Sequence, residues 1–321
     1  MYILFLDAQE RKQVGFVMKI KRLLLGASLV FLLTGCTLKL PFLPGNKSSS
    51  NNDSSQTSNS GSGDSSGVSS SSSSGSSVTP EDVVAYYSTI SDSLTGDSLK
   101  SALNTLNNQK RIRTMSYKGH RNYFKYTERV AETPANKMVG FYDSALVSAE
   151  WDNQETWNHE HVWPNSHGGG SGGDLSSPYI DADIHMVRPT SVSLNSERGN
   201  QFYGNSLYDA GKYVAAYRGV AARIIFYCAI ADTRLEIIDS NTGGGHSMGK
   251  LADLLQWNLQ YLPTTDDSAD TALRVEQNRN NVIYSRSDLQ GNRNPFIDHP
   301  EYACKIWGNT NSTTKSICGL A

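Results

Sequence analysis

Trp157-Asn158-His159-Glu160-His161-Val162-Trp163-Pro164-Asn165-Ser166 is the stretch from which the chain is read. Two histidines and a carboxylate occupy three consecutive positions between two tryptophans. The whole 321-residue chain holds seven histidines, and only 19% of its residues are charged. Such a cluster needs a chemical reason. In a regular strand, Glu160 and His161 point to opposite faces, so a shared site requires a sharp twist, a bulge, or a metal beyond the strand end. His159 and His161 share a face, a pairing that suits a softer ion such as Zn²⁺. Trp157 and Trp163 read as core packing.

A glycine- and serine-rich loop, 167–177, follows. Ile180-Asp181-Ala182-Asp183-Ile184-His185-Met186-Val187-Arg188-Pro189 then alternates as a strand does, with Pro189 ending it. Residues 190–200 open with capping hydroxyls and form a short helix that stops at Gly199. The local order is strand, loop, strand, helix. Upstream, Thr79-Pro80-Glu81-Asp82 is a helix start with a polar cap, proline at the first position and acids in the first turn. Leu99, Leu103 and Leu106 mark a second helix over 96–107, and Tyr123–Tyr126 and Val139–Tyr142 read as scaffold strands. Downstream, 213–234, 247–262 and 271–284 read as helices, 291–298 as a loop and 299–307 as a short last helix. No repeat is visible, and 79–321 reads as one domain of ordinary size.

The N-terminal part has a different composition. Met18-Lys19-Ile20-Lys21-Arg22 is a basic start, Leu23–Leu33 is an apolar run too short to span a membrane, and Leu33-Thr34-Gly35-Cys36 looks like a bacterial lipobox. On this reading translation begins at Met18, residues 1–17 are a mis-assigned start, and Cys36 becomes the lipidated residue. The alternative is an ordinary cleaved signal with a coincidental cysteine. Residues 37–78, mostly Ser, Gly and Asn from Lys47 on, read as a flexible tether. About 40 such residues have an r.m.s. reach of roughly 35 Å.

The formal net charge of −2 predicts no general attraction to nucleic acid. A local basic excess at Lys110, Arg111, Arg113, Lys118, Arg121, Lys125 and Arg129 can supply one. Four cysteines are too few for a disulfide framework. Cys304 and Cys318 can pair outside the cytoplasm, and Cys228 sits on a helical apolar face as a buried thiol.

Phosphodiester hydrolysis requires deprotonating a water, stabilising added charge on the phosphate and neutralising the leaving oxygen. One histidine and one divalent cation can cover all three. Glu160 offers a carboxylate oxygen and Asn195 an amide oxygen, a sparse donor set that suits Mg²⁺ completed by water and substrate.

Trp157 to Ser166, Asp183-Ile184-His185 with Arg188-Pro189, Asn195-Ser196-Glu197-Arg198-Gly199-Asn200, and Gly291-Asn292-Arg293-Asn294-Pro295-Phe296-Ile297-Asp298-His299-Pro300 together resemble the endonuclease I family of secreted bacterial nucleases. These belong to the ββα-metal (His-Me finger) nucleases. The resemblance runs in order across most of 80–307. It implies an α+β fold, with a ββα-metal core embedded in a mainly helical single domain. By the resemblance His161 matches the general base, and Glu160 and Asn195 match the ligands of Mg²⁺ (or Ca²⁺ or Mn²⁺). His185 matches a strand histidine that supports the site or contacts phosphate, and Arg198 and Asn200 match positions that brace the motif. The implied reaction is largely sequence-nonspecific cleavage of DNA or RNA, leaving 5′-phosphate and 3′-hydroxyl ends.

Two departures stand out. His159 replaces an arginine frequent in relatives, and the segment between the finger strands lacks the arginine that clamps the transition state in some of them. The clamp then falls to Arg188, Arg198 or Arg293. Arg293 and Asn294 either contact the nucleic-acid backbone or fix their loop. Asp183 orients an imidazole or backbone, His120 and His246 read as surface residues, and His299 as a capping or packing residue. The expectation is a lipid-anchored, extracytoplasmic endonuclease with no obligate protein partner. The alternatives are a nucleic-acid-binding surface lipoprotein with a decayed site and a zinc hydrolase built on His159 and His161.

Overall fold

A computed structural model describes residues 77–168 and 180–320, which all lie in the compact unit Ser70–Ala321. The lipobox with Cys36, almost all of the tether, and most of the glycine-rich loop lie outside the described residues. The fold is mixed helix and strand, as the α+β reading expects. Its centre is helix α5, Tyr217–Ala231. This helix is apolar nearly all round, the pattern of one enclosed by its neighbours. Every residue from Gly219 to Ile230 is buried. Gly219 is required where α5 meets the chain at Tyr261, because a Cβ there would lie 2.4 Å from the Tyr261 carbonyl oxygen.

Around α5 pack α2 (Gly96–Lys110), α6 (Leu251–Gln260), α7 (Thr271–Ser285) and α8 (Pro295–Asp298). Helix α1 (Pro80–Tyr86) starts with a reciprocal capping box between Thr79 and Asp82, as the sequence predicts. Two short helices near the C-terminus, α9 (Tyr302–Trp307) and α10 (Ser312–Ile317), are tied together by the Cys304–Cys318 disulfide. Cys228 is a buried free thiol. No helix among the described residues is long and apolar enough to cross a membrane.

The strands are short and paired in twos. β1 (Lys137–Val139) pairs antiparallel with β2 (Leu146–Ser148), and β3 (Asn158–His161) with β4 (Val187–Thr190). β5 (Glu236–Ile237) and β6 (Ser247–Met248) pair in parallel. Helix α4 (Val192–Arg198) follows β4 directly, capped by Ser191, whose hydroxyl accepts from Leu194 N–H, and ended by Gly199 at φ 55°.

Several expectations change. Tyr123–Tyr126 is not a strand: Tyr117–Asn122 forms a 3₁₀ turn that runs into helix α3, Phe124–Thr127. Residues 180–186 also leave the strand, because Asp183 Oδ1 accepts the His185 backbone N–H at 2.9 Å. That local turn outcompetes the alternating pattern. Pro189 lies inside β4 rather than ending it, and its carbonyl accepts Phe141 N–H at 2.8 Å. The 291–298 loop contains α8, whose N-cap is Asn294.

Candidate active site

Strand β3 is regular. Its register against β4 pairs Glu160 with Arg188 and His161 with Val187, so the anticipated bulge at Glu160–His161 is absent. The side chains alternate accordingly. His159 and His161 both lie against Tyr117, with ring centroids 4.7 and 4.9 Å away, and His161 is stacked within 21° of parallel. Glu160 points the other way into the interior. Its Oε1 accepts from Tyr142 Oη at 2.8 Å and lies 3.3 Å from Arg198 Nε. Tyr142 is buried at φ +81°, a conformation unfavourable for a bulky side chain, and its hydroxyl also meets that of Tyr203 at 2.6 Å.

Helix α4 closes this face of the strand. Asn195 and Arg198 are three residues apart and so share a helix face. Asn195 Nδ2 donates to Asn158 Oδ1 at 2.9 Å and to the His159 carbonyl at 3.1 Å. Arg198 donates to the carbonyls of Val162 and Gly199, at 2.8 and 2.7 Å, and its guanidinium lies over the Tyr203 ring. One short helix thus fixes the strand that carries Glu160 and His161.

Burial sets the protonation of the site. It pushes Glu160 up to about 7 against the opposing effects of Arg198 and Tyr142. Desolvation holds His161 down at about 4, with Asp181 pulling the other way, and His159 also at about 4. His161 is therefore a neutral, partly exposed imidazole.

The donors fit a hard divalent cation. Among the described residues, neither Glu160 Oε2 nor Asn195 Oδ1 receives a hydrogen bond, and a buried carboxylate benefits strongly from added positive charge. Among the same residues no group of three His, Cys, Asp or Glu side chains could hold an ion.

The other sequence candidates are distributed differently. Arg188 is buried against Glu128, with Nη2–Oε2 at 2.6 Å, and Arg293 against Asp298 at 2.7 Å. Both guanidinium groups, expected as substrate contacts, are enclosed by these partners. Arg293 and Asn294 fix the loop and α8. His185 is buried too. Its ring bonds the Asn292 carbonyl at 3.2 Å and packs on Tyr227, in a polar cluster with Asp183, Arg111 and Asn107. Among the described residues Arg198 lies against the Glu160 carboxylate and bonds two backbone carbonyls. Asn200 is exposed, and its carbonyl meets His167 Nε2 at 2.9 Å. His120 is fully buried rather than on the surface, and Trp157 and Trp163 are core residues.

The sequence reading gave no site role to Tyr142, Tyr203, Tyr117 or Trp151, and named Arg121 only within the basic excess of 110–129. The first two carry no motif signal. The last three line a cleft of about 520 Å³ that includes Asn158, His159 and Asn195.

A histidine and a carboxylate thus lie on one strand of an antiparallel pair, with an amide-bearing helix packed against that strand. The chain belongs to the Endonuclease I family, whose sequence model matches residues 95–215 and 213–301, and it is a nuclease. It is similar to the extracellular ribonuclease of Bacillus amyloliquefaciens, with 35% identity over 252 residues, 72% of this chain and 81% of that protein. The extracellular ribonuclease of Bacillus subtilis (strain 168) is 34% identical over 247 residues, 70% of this chain and 79% of that protein.

Proposed function

We propose that this nuclease is a metal-dependent, largely sequence-nonspecific endonuclease in which β3, β4 and α4 form a ββα-metal core. The observation that carries the reading is the docking of Asn195 and Arg198 of α4 onto the strand that holds Glu160 and His161. Glu160 and Asn195 would hold Mg²⁺, or Ca²⁺ or Mn²⁺ in its place. When bound, the ion stabilises charge on the phosphate and on the leaving oxygen.

The chain's own residues supply the rest. His161 is neutral and has no hydrogen-bond partner for its ring among the described residues, so a ring nitrogen is available to take a proton from the attacking water. Stacking on Tyr117 fixes the imidazole plane. Tyr142 and Arg198 hold Glu160 Oε1, which leaves Oε2 as the donor. The products would carry 5′-phosphate and 3′-hydroxyl ends.

Two relatives named as extracellular ribonucleases favour RNA among the substrates and action outside the cell. A lipid anchor at Cys36 followed by a tether would keep the enzyme at the cell surface. A zinc site on His159 and His161 is the second reading, favoured by their shared face and by the unpartnered, buried His159 Nε2. Zinc sites use three or four protein ligands, and this pair has two. Digestion of RNA and supercoiled plasmid across a metal series tests the proposal. Cutting that requires Mg²⁺, Ca²⁺ or Mn²⁺ and stops in EDTA is expected. Cutting dependent on Zn²⁺ alone, or binding without cutting under every ion, overturns it.

A further inference from the structure

The three arginines considered as transition-state or substrate cations each have a buried carboxylate partner: Glu128 for Arg188, Glu160 for Arg198 and Asp298 for Arg293. A different arginine faces the cleft beside Asn195. Arg121 lies on the 3₁₀ turn Tyr117–Asn122, the turn whose Tyr117 stacks on His161. Its Nε donates to the Lys118 carbonyl at 2.8 Å, and its Cζ lies 4.8 Å from the centroid of Trp151. Trp151 is itself stacked on His159, 13° from parallel. The guanidinium plane is thereby fixed, and neither Nη1 nor Nη2 meets an acceptor among the described residues.

The cleft these residues line has about 520 Å³, within the ordinary range for ligand sites, and includes Lys118, Asn158 and Asn195. Among the described residues no carboxylate lines it, although the chain as a whole is slightly acidic. A fixed guanidinium fork beside an ammonium, in an acid-free cleft, is complementary to a phosphodiester. Within the basic surplus of 110–129, Arg111 and Arg129 are otherwise engaged, with Asp183 and with backbone carbonyls.

We propose that Arg121, assisted by Lys118, binds a backbone phosphate of the nucleic-acid strand next to the scissile bond, as the phosphate cation of this site. This rests on the proposed nuclease reading of His161, Glu160 and Asn195. Arg121 reads no base, in keeping with weak sequence preference.

The test uses the full chain carrying H161A, so that a labelled single-stranded oligoribonucleotide stays intact while its affinity is measured across a series of NaCl concentrations in Mg²⁺. Adding R121A should weaken binding about tenfold and reduce the slope of log affinity against log salt by about 0.7, the loss of one phosphate contact. R121Q, which keeps a side-chain stem over Trp151, should show the same slope change. R121K should keep the slope and bind severalfold more weakly, since it retains the charge and loses the fork. Unchanged affinity and slope in R121A and R121Q overturn the proposal. So does a fall in melting temperature with the slope intact, the mark of a purely structural role. Cleavage of the oligonucleotide by the H161A parent within a few-fold of the wild-type rate would instead overturn the reading of His161, independently of Arg121.

Discussion

His120 provides a stability prediction that can be worked through to a number. The ring is fully buried and packs among Tyr117, Phe124 and His159, with Asp183 and Arg279 as further charged neighbours. Its Nε2–H donates to the Ala182 carbonyl at 3.3 Å, and Nδ1 has no partner. Protonating Nδ1 would place both a charge and an unsatisfied N–H in the interior, and burial accordingly pushes the group down to about 3 from 6.5. The folded-state value is depressed, so the unfolded chain takes up the proton first. The stabilisation is fully present above pH 6.5, is lost progressively as pH falls, and the loss ends near pH 3. Between pH 7.5 and 5 it amounts to about 2 kcal/mol. Other groups also titrate in this window, so the diagnostic quantity is a difference between proteins. H120F keeps the aromatic packing and removes the titration. Urea unfolding at pH 7.5, 6, 5 and 4, followed by tryptophan fluorescence, should give H120F a lower stability at pH 7.5. Its decline from pH 7.5 to 5 should be about 2 kcal/mol smaller than that of the wild type. Parallel curves for the two proteins would refute the reasoning.

Tyr142→Phe removes the hydroxyl that holds Glu160 Oε1. Mutations of such outer support cost about 10–100-fold in metal affinity or activity, so the variant should need more Mg²⁺ for half-maximal cutting, and an unchanged metal titration would contradict the role. Glu128→Gln breaks the buried pair with Arg188 and a second contact with Arg279, and should destabilise the fold by about 3–5 kcal/mol in denaturant titration. Replacing both Cys304 and Cys318 by Ser opens a loop closed across 14 residues. This should cost about 3 kcal/mol in the same assay, while the specific activity of the folded fraction at 25 °C is unchanged.

Local signals carried much of the fold. The Thr79 cap, the apolar face of α2 and the helix ending at Gly199 all follow from nearby residues, and the Cys304–Cys318 disulfide is the pairing that an extracytoplasmic setting allows. The strand–strand–helix order around Trp157 was also legible. The failures have a common origin in contacts distant along the chain. Arg188 looks available in sequence because its partner Glu128 lies 60 residues away. Its burial is set by packing that no periodicity records. His120 was misread for the same reason, its bond to Ala182 spanning 62 residues. At 180–186 an alternating pattern coincided with an aspartate turn, and the side-chain bond from Asp183 decided the outcome. Arg121 stood out in sequence only as one of the basic residues of 110–129, and its contact with Trp151 is made by the tertiary fold. Glu160 and His161 diverge on a regular strand, as the alternation rule requires, and no irregularity brings them to one face.

The central claim is that His161 acts as the base of a metal-dependent phosphodiester cleavage. Its most direct test is the rate at which the H161A chain, purified in folded form, cuts RNA and plasmid at saturating Mg²⁺, beside a wild-type chain whose cutting EDTA abolishes. The account predicts a loss of about 10²–10⁴-fold in kcat/KM with the melting temperature retained. An H161A protein that cuts within a few-fold of the wild-type rate would contradict it.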